Sequence, residues 1–138
     1  MDIDVRGPRF AAAVTTVVLA VVLITQNAWL LAWQTLAFAL GAAGGVGRSP
    51  YGWAFRVAVR PKLGPPTAFE APQPPRFAQT VGLLFAGVGL VGFTLGPDWL
   101  GFAATGAALA AAFLNATFGY CLGCEMYLLV RRVAVRAE

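Results

Sequence analysis

The sequence predicts an all-α membrane protein of four transmembrane helices, folded as two helical hairpins. Three observations carry that expectation. The 138-residue chain is 59% hydrophobic and 12% charged, with a mean hydropathy of +0.71. An average soluble domain is roughly 25% charged, so this chain has too few polar side chains to cover a water-facing surface, and its solvent has to be the bilayer. Second, four apolar runs approach the ~20 residues that cross a hydrocarbon core. Third, all ten Lys and Arg residues lie outside the two hairpin tips, an ordered charge pattern that a soluble fold does not require.

The elements follow in order. Arg6 and Arg9 precede a first span over about 9–26. It lacks a small-residue cleavage site and leads straight into further apolar sequence, so a retained span is expected rather than a removed signal. Gln26-Asn27 forms the first tip, and the second span runs over about 28–46. A loop over 47–76 carries Arg48, Arg56, Arg60, Lys62 and Arg76. Within it, Tyr51 to Arg60 alternates aromatic, apolar and basic residues and is expected as a short interfacial helix. Pro61 to Pro75 is proline-rich and reads as an extended strap. A third span over about 77–95 and a fourth over about 99–120 flank the turn Gly96-Pro97-Asp98. Arg131, Arg132 and Arg136 follow. One domain covers 1–138.

Because basic residues favour the cytoplasmic side, both termini and the central loop are expected inside a bacterial cytoplasmic membrane. Trp29, Trp33 and Trp99 then suit an outer aromatic belt, and Tyr51, Trp53, Tyr120 and Tyr127 an inner one.

Three segments recur in order. Pro8-Arg9-Phe10-Ala11 returns as Pro75-Arg76-Phe77-Ala78, Trp29-Leu30 as Trp99-Leu100, and Arg56-Val57-Ala58-Val59-Arg60 as Arg132-Val133-Ala134-Val135-Arg136. Hairpins of the same order and orientation define a parallel two-plus-two repeat about an axis along the membrane normal.

The chemistry is concentrated in Cys121-Leu122-Gly123-Cys124-Glu125, which holds both cysteines of the chain. Thiols three apart on a helix share a face, with Cβ atoms about 5–6 Å apart. That spacing allows a disulfide, a shared metal or a persulfide relay. Glu125, four residues from Cys121, is the expected proton shuttle. Helix lengths counted from the tip at Pro97 place the pair at the inner membrane boundary, where a permanent structural disulfide is disfavoured. Arg9 and Arg76 are candidate anion-binding groups or interface anchors. Gly41 and Gly45, with Gly119 and Gly123, offer small-residue faces for helix packing. Gly87-Val88-Gly89-Leu90-Val91-Gly92 matches a dinucleotide fingerprint, but it lies inside a span without the preceding strand and reads as another packing face.

Several classes are excluded or left without support. The chain has no histidine, which removes the commonest general base and metal ligand. Two Cys and one Glu are too few for a closed zinc site. Nothing marks a quinone site, so no cofactor is assigned. The pI near 9.7 does not indicate nucleic acid, because the basic residues flank apolar runs rather than forming one patch.

The segments Pro75-Arg76-Phe77-Ala78 and Phe118-Gly119-Tyr120-Cys121-Leu122-Gly123-Cys124-Glu125-Met126-Tyr127 carry a resemblance over most of the chain. It resembles small four-helix membrane proteins of actinobacteria and related bacteria classed as a domain of unknown function. A looser similarity runs to four-helix membrane proteins of the DoxX type. The resemblance implies thiol or sulfur metabolism, with a soluble thioredoxin-like or sulfurtransferase partner. Vitamin K epoxide reductase also has four helices and a CxxC pair, but its pair faces outward.

The expected function is a membrane thiol-redox or sulfur-transfer protein acting through Cys121 and Cys124. The alternatives are a scaffold subunit without chemistry of its own, or a small sulfur-anion transporter working as a homodimer.

Overall fold

A computed structural model describes residues 2–137. Its α-helices are α1 (Arg6–Thr25), α2 (Ala28–Gly44), α3 (Pro50–Ala54), α4 (Arg60–Leu63), α5 (Gln73–Leu95), α6 (Asp98–Phe118) and α7 (Leu122–Ala137). Three of these, α1, α5 and α6, are long and apolar enough to cross a membrane, and α2 is a shorter apolar helix.

The four apolar helices close a ring in the order α1–α2–α5–α6. Glycines set the closest approaches. Gly92 meets the backbone of Gly101, and Gly89 meets Thr105 and Gly101, so α5 and α6 run antiparallel and nearly touch. The glycine fingerprint of the third span is thus a packing face. Gly82 faces the Phe38 ring and Gly41 faces Gln79, which joins α2 to α5 in the same antiparallel sense. Leu19, Val22, Leu31, Phe38, Ala86 and Ala108 form the main core cluster. It fills the half of the ring toward the two tips, Gln26-Asn27 and Gly96-Pro97.

Local chemistry fixes the helix ends. Asn27 accepts hydrogen bonds from the N–H groups of Trp29 (3.0 Å) and Leu30 (3.2 Å) and so starts α2. Helix α5 begins at Gln73, four residues before the expected 77, because Pro74 and Pro75 sit in its first turn, where a missing N–H costs nothing. Helices α2 and α6 each stop at a glycine of positive φ: Gly45 at 91° and Gly119 at 69°. Neither is a packing face. Gly45 has no neighbour within 4 Å of where a Cβ would stand.

Each ending is also capped by an arginine from a neighbouring helix. Arg9 Nη2 donates to the Ala116 carbonyl at 3.3 Å. Arg76 Nε donates to the Ala42 carbonyl at 2.7 Å, and its Nη2 donates to that of Ala43. The guanidinium groups neutralise the negative ends of α6 and α2.

The central loop departs from the interfacial helix expected over Tyr51 to Arg60. Helix α3 continues through a π-helical stretch, Phe55–Val59, into α4, and α3 and the π-helical stretch pack beside α1. Tyr51 Oη donates to Gln34 Oε1 (2.7 Å), Gln34 Nε2 donates to Thr15 Oγ1 (3.3 Å), and Trp33 Nε1 donates to Tyr51 Oη (3.0 Å). Gln34 lies ten residues before the end of α2, about 15 Å along its axis. The chain after α2 therefore turns back into the ring instead of leaving it. Trp33 and Tyr51, expected on opposite belts, are hydrogen-bonded partners. Buried polar side chains at this depth need such partners, and the network supplies them.

Of the expected strap, Pro61 belongs to α4 and Pro74-Pro75 to α5. Between them Phe69–Glu70 pairs antiparallel with Ile3–Asp4, with Ile3 opposite Glu70 and Asp4 opposite Phe69. Arg6 ties the same corner together. It donates to both Asp4 carboxylate oxygens and to the carbonyls of Leu63 (3.4 Å) and Gly64 (3.1 Å).

Candidate functional site

The cysteines do not lie on one continuous helix, as the spacing predicted. The left-handed turn at Gly119 ends α6, and α7 restarts at Leu122. Cys121 stands immediately before α7. Its carbonyl accepts the Glu125 N–H at 3.0 Å, and its Sγ accepts the Cys124 N–H at 3.1 Å. A sulfur thus fills the role that a Ser or Asp oxygen plays at a helix start. The two Sγ atoms are at bonding distance, 2.15 Å, with Cα atoms 5.2 Å apart.

Helix α7 is held against the start of α5. Gly123 lies on Ala78, where any Cβ would collide with Ala78 Cα and Cβ. One turn on, the Tyr127 ring meets Phe77 edge-on, with centroids 5.6 Å apart. Gly123 thus makes its close approach to α5. Gly119 serves the turn, with the Arg9 guanidinium beside it, 3.7 Å from where a Cβ would stand.

Both cysteines are half-buried and line a cavity of about 540 Å³ in the half of the ring away from the tips. Alanines make the space. Ala107, Ala108, Ala111 and Ala112 of α6 face it, opposite Ala78, Val81, Gly82 and Phe85 of α5. Its polar groups are few: Arg9, Thr15, Glu70, Gln79 and Asn115. Among the hydrogen bonds of the described residues, the side chains of Gln79 and Asn115 have no partner, in contrast to Thr15, which Gln34 engages.

The acid beside the cavity is Glu70, held there by the short Ile3–Asp4/Phe69–Glu70 ladder. Burial pushes its carboxyl above the ordinary carboxylate range. Sequence reasoning passed over it as a lone acid in a proline-rich strap. Glu125 is exposed in the first turn of α7 and does not line the cavity. There its charge complements the positive helix end. Arg9 both caps α6 and lines the cavity, whereas Arg76 is engaged with the end of α2. Among the described residues, no group of three Cys, Asp or Glu side chains gathers that could hold a metal ion.

This is a helical protein of apolar helices with a close cysteine pair beside an internal cavity. It belongs to the family described as Domain of unknown function (DUF4395), whose family model matches residues 3–132, from the first strand into α7. No curated protein and no solved structure matches the chain.

Proposed function

We propose that the protein is a four-span membrane thiol–disulfide oxidoreductase whose exchanging group is the Cys121–Cys124 pair. The observation that carries this reading is the cap at the start of α7. The Cys121 sulfur receives a backbone N–H at the positive end of a helix, with the Arg9 guanidinium close to the preceding turn. Both features favour a sulfur anion, so Cys121 is the sulfur that leaves as thiolate when the pair is opened. A partner thiolate attacks Cys124 Sγ, the S–S bond breaks, and its electron pair goes to Cys121. The partner's second thiolate then attacks the partner sulfur of this mixed disulfide and releases Cys124. Two electrons and two protons reach the pair, and the partner becomes a disulfide. Glu70, which shares the cavity, is the proton carrier in place of the exposed Glu125. A soluble thioredoxin-like protein fits as partner.

The basic residues support a reading in which the end bearing the termini faces the cytoplasm, with α2 as the fourth span. Support for the two-plus-two repeat lies in matched geometry. Arg9 caps α6 as Arg76 caps α2. Phe10 meets Phe55 (5.8 Å) as Phe77 meets Tyr127. Gly45 ends α2 as Gly119 ends α6.

The test is sided thiol labelling in membrane vesicles. The pair is expected to be refractory to maleimide until dithiothreitol is added, and then to react only from the cytoplasmic side. With Cys124→Ser, the remaining Cys121 is expected to alkylate about tenfold faster at neutral pH than Cys124 does in Cys121→Ser. A pair that dithiothreitol and oxidant cannot cycle rules the reading out.

A further inference from the structure

Beyond holding Glu70, the cavity has no task in exchange with a soluble partner, since a thiolate needs only a path to Cys124. We propose that it binds a quinone, the lipid-soluble two-electron acceptor that reoxidises the pair; this rests on the thiol-exchange reading above.

Size, lining and position lead to that ligand class. A volume of about 540 Å³ lies within the roughly 300–1,000 Å³ of small-molecule sites. From Ala107 to Asn115 the wall on α6 spans eight residue steps, about 12 Å at helical rise. That holds a flat ring and the start of an isoprenoid tail. The walls are alanine, valine and phenylalanine, which accept an apolar ring. An acyl chain would need no more than these walls, yet Gln79 and Asn115 bring amide groups without protein partners into the same space. Amide N–H groups are the donors that a quinone carbonyl takes. The redox pair forms part of the wall, so a bound ring is adjacent to its reductant.

The step balances without another reagent. The reduced pair loses two S–H bonds and gains one S–S bond. Two electrons and two protons pass to the two carbonyl oxygens of the quinone, giving the quinol. Glu70 relays protons within the cavity and regains what it gives.

The test uses the full chain in lipid nanodiscs, reduced, desalted and kept anaerobic, with decylubiquinone as probe. Loss of one quinone absorbance equivalent per protein, together with loss of both maleimide-reactive thiols, is expected. Ala112→Phe fills the cavity, and Asn115→Leu removes an amide with little change of volume. For each, the rate with decylubiquinone is divided by the rate with glutathione disulfide on the same sample. That ratio is expected to fall at least tenfold. A wild-type pair that glutathione disulfide oxidises and decylubiquinone does not would overturn the quinone site and leave thiol exchange standing. An unchanged ratio in both variants would overturn it too, since quinone would then be reacting from outside the cavity. A pair that no oxidant turns over sinks the thiol-exchange reading. Binding is then read by equilibrium dialysis of decylubiquinone against Cys121→Ser/Cys124→Ser. Retention that Ala112→Phe abolishes supports the site, and no retention ends it.

Discussion

Two carboxyl groups on one two-residue ladder have opposite electrostatic environments. Asp4 accepts hydrogen bonds from the Arg6 guanidinium and backbone N–H and lies near Arg60, so its carboxyl is held below the ordinary range. Its contribution to stability is present above the ordinary carboxylate pKa and fades as pH falls through the depressed value. Glu70, one pairing step away, is pushed up by burial. Its contribution is complete below the unfolded value and is lost as pH rises through the higher folded one. The ladder over the cavity should therefore loosen from the acid side through Asp4 and, as pH rises above the ordinary glutamate range, through Glu70. Glu70→Gln replaces the buried carboxyl with an uncharged amide, so the decline in thermal stability expected on raising pH above the ordinary glutamate range should disappear while the acid-side decline through Asp4 stays. Melting curves of the two proteins across pH in detergent check this, and parallel profiles would show that Glu70 does not set the upper limb.

At the scale of elements, the arginine caps join helices that the chain does not connect directly. Removing the Arg76 guanidinium leaves the carbonyls of Ala42 and Ala43 without their donors at the end of α2. Arg76→Ala should cost about 0.3–1 kcal/mol from the helix-end charge alone. Arg76→Lys should recover only part, because one ammonium cannot reproduce the fork that reaches two successive carbonyls. Denaturant titration of the three proteins in one detergent reads the difference; full recovery by lysine would mean that the fork is not what matters, and a loss equal to that of alanine would mean that the helix-end charge contributes nothing. The apolar runs and hairpin turns were legible in the sequence, since length, hydropathy and Asn-, Gly- and Pro-bearing turns are local signals. The inward return after α2 was not. Tyr51 to Arg60 has a pattern that suits a lipid surface and a protein groove equally, and only the pairing of Tyr51 with Gln34, which in turn engages Thr15, decides between them. The cavity was also illegible. Ala107 to Ala112 reads as apolar filler, and empty volume depends on which residues face each other across the ring.

At the scale of the whole molecule, the two proposed repeat units differ most where the cysteines lie. After Gly45 the chain starts its next helix with Ser49, whose Oγ accepts the Gly52 N–H at 3.1 Å. After Gly119 it does so with Cys121, whose Sγ accepts the Cys124 N–H at the same distance. Ser49-x-x-Gly52 and Cys121-x-x-Cys124 are thus one capping geometry written with oxygen in the first half and with sulfur in the second. The cysteine pair sits on a structural joint whose capping role does not itself require sulfur. If so, Cys121→Ser/Cys124→Gly should convert the second joint into a copy of the first. The protein should fold with its cap intact and lose thiol exchange altogether. Cys121→Ala/Cys124→Gly carries the same glycine penalty but no capping atom, and should be less stable than the serine variant by about 1 kcal/mol, the usual worth of a helix cap. Comparing the two double variants by thermal melting removes the glycine term and the lost disulfide from the difference. Equal stability would mean that the Cys121 sulfur holds α7 in place only through its bond to Cys124, and the parallel with Ser49 would fall.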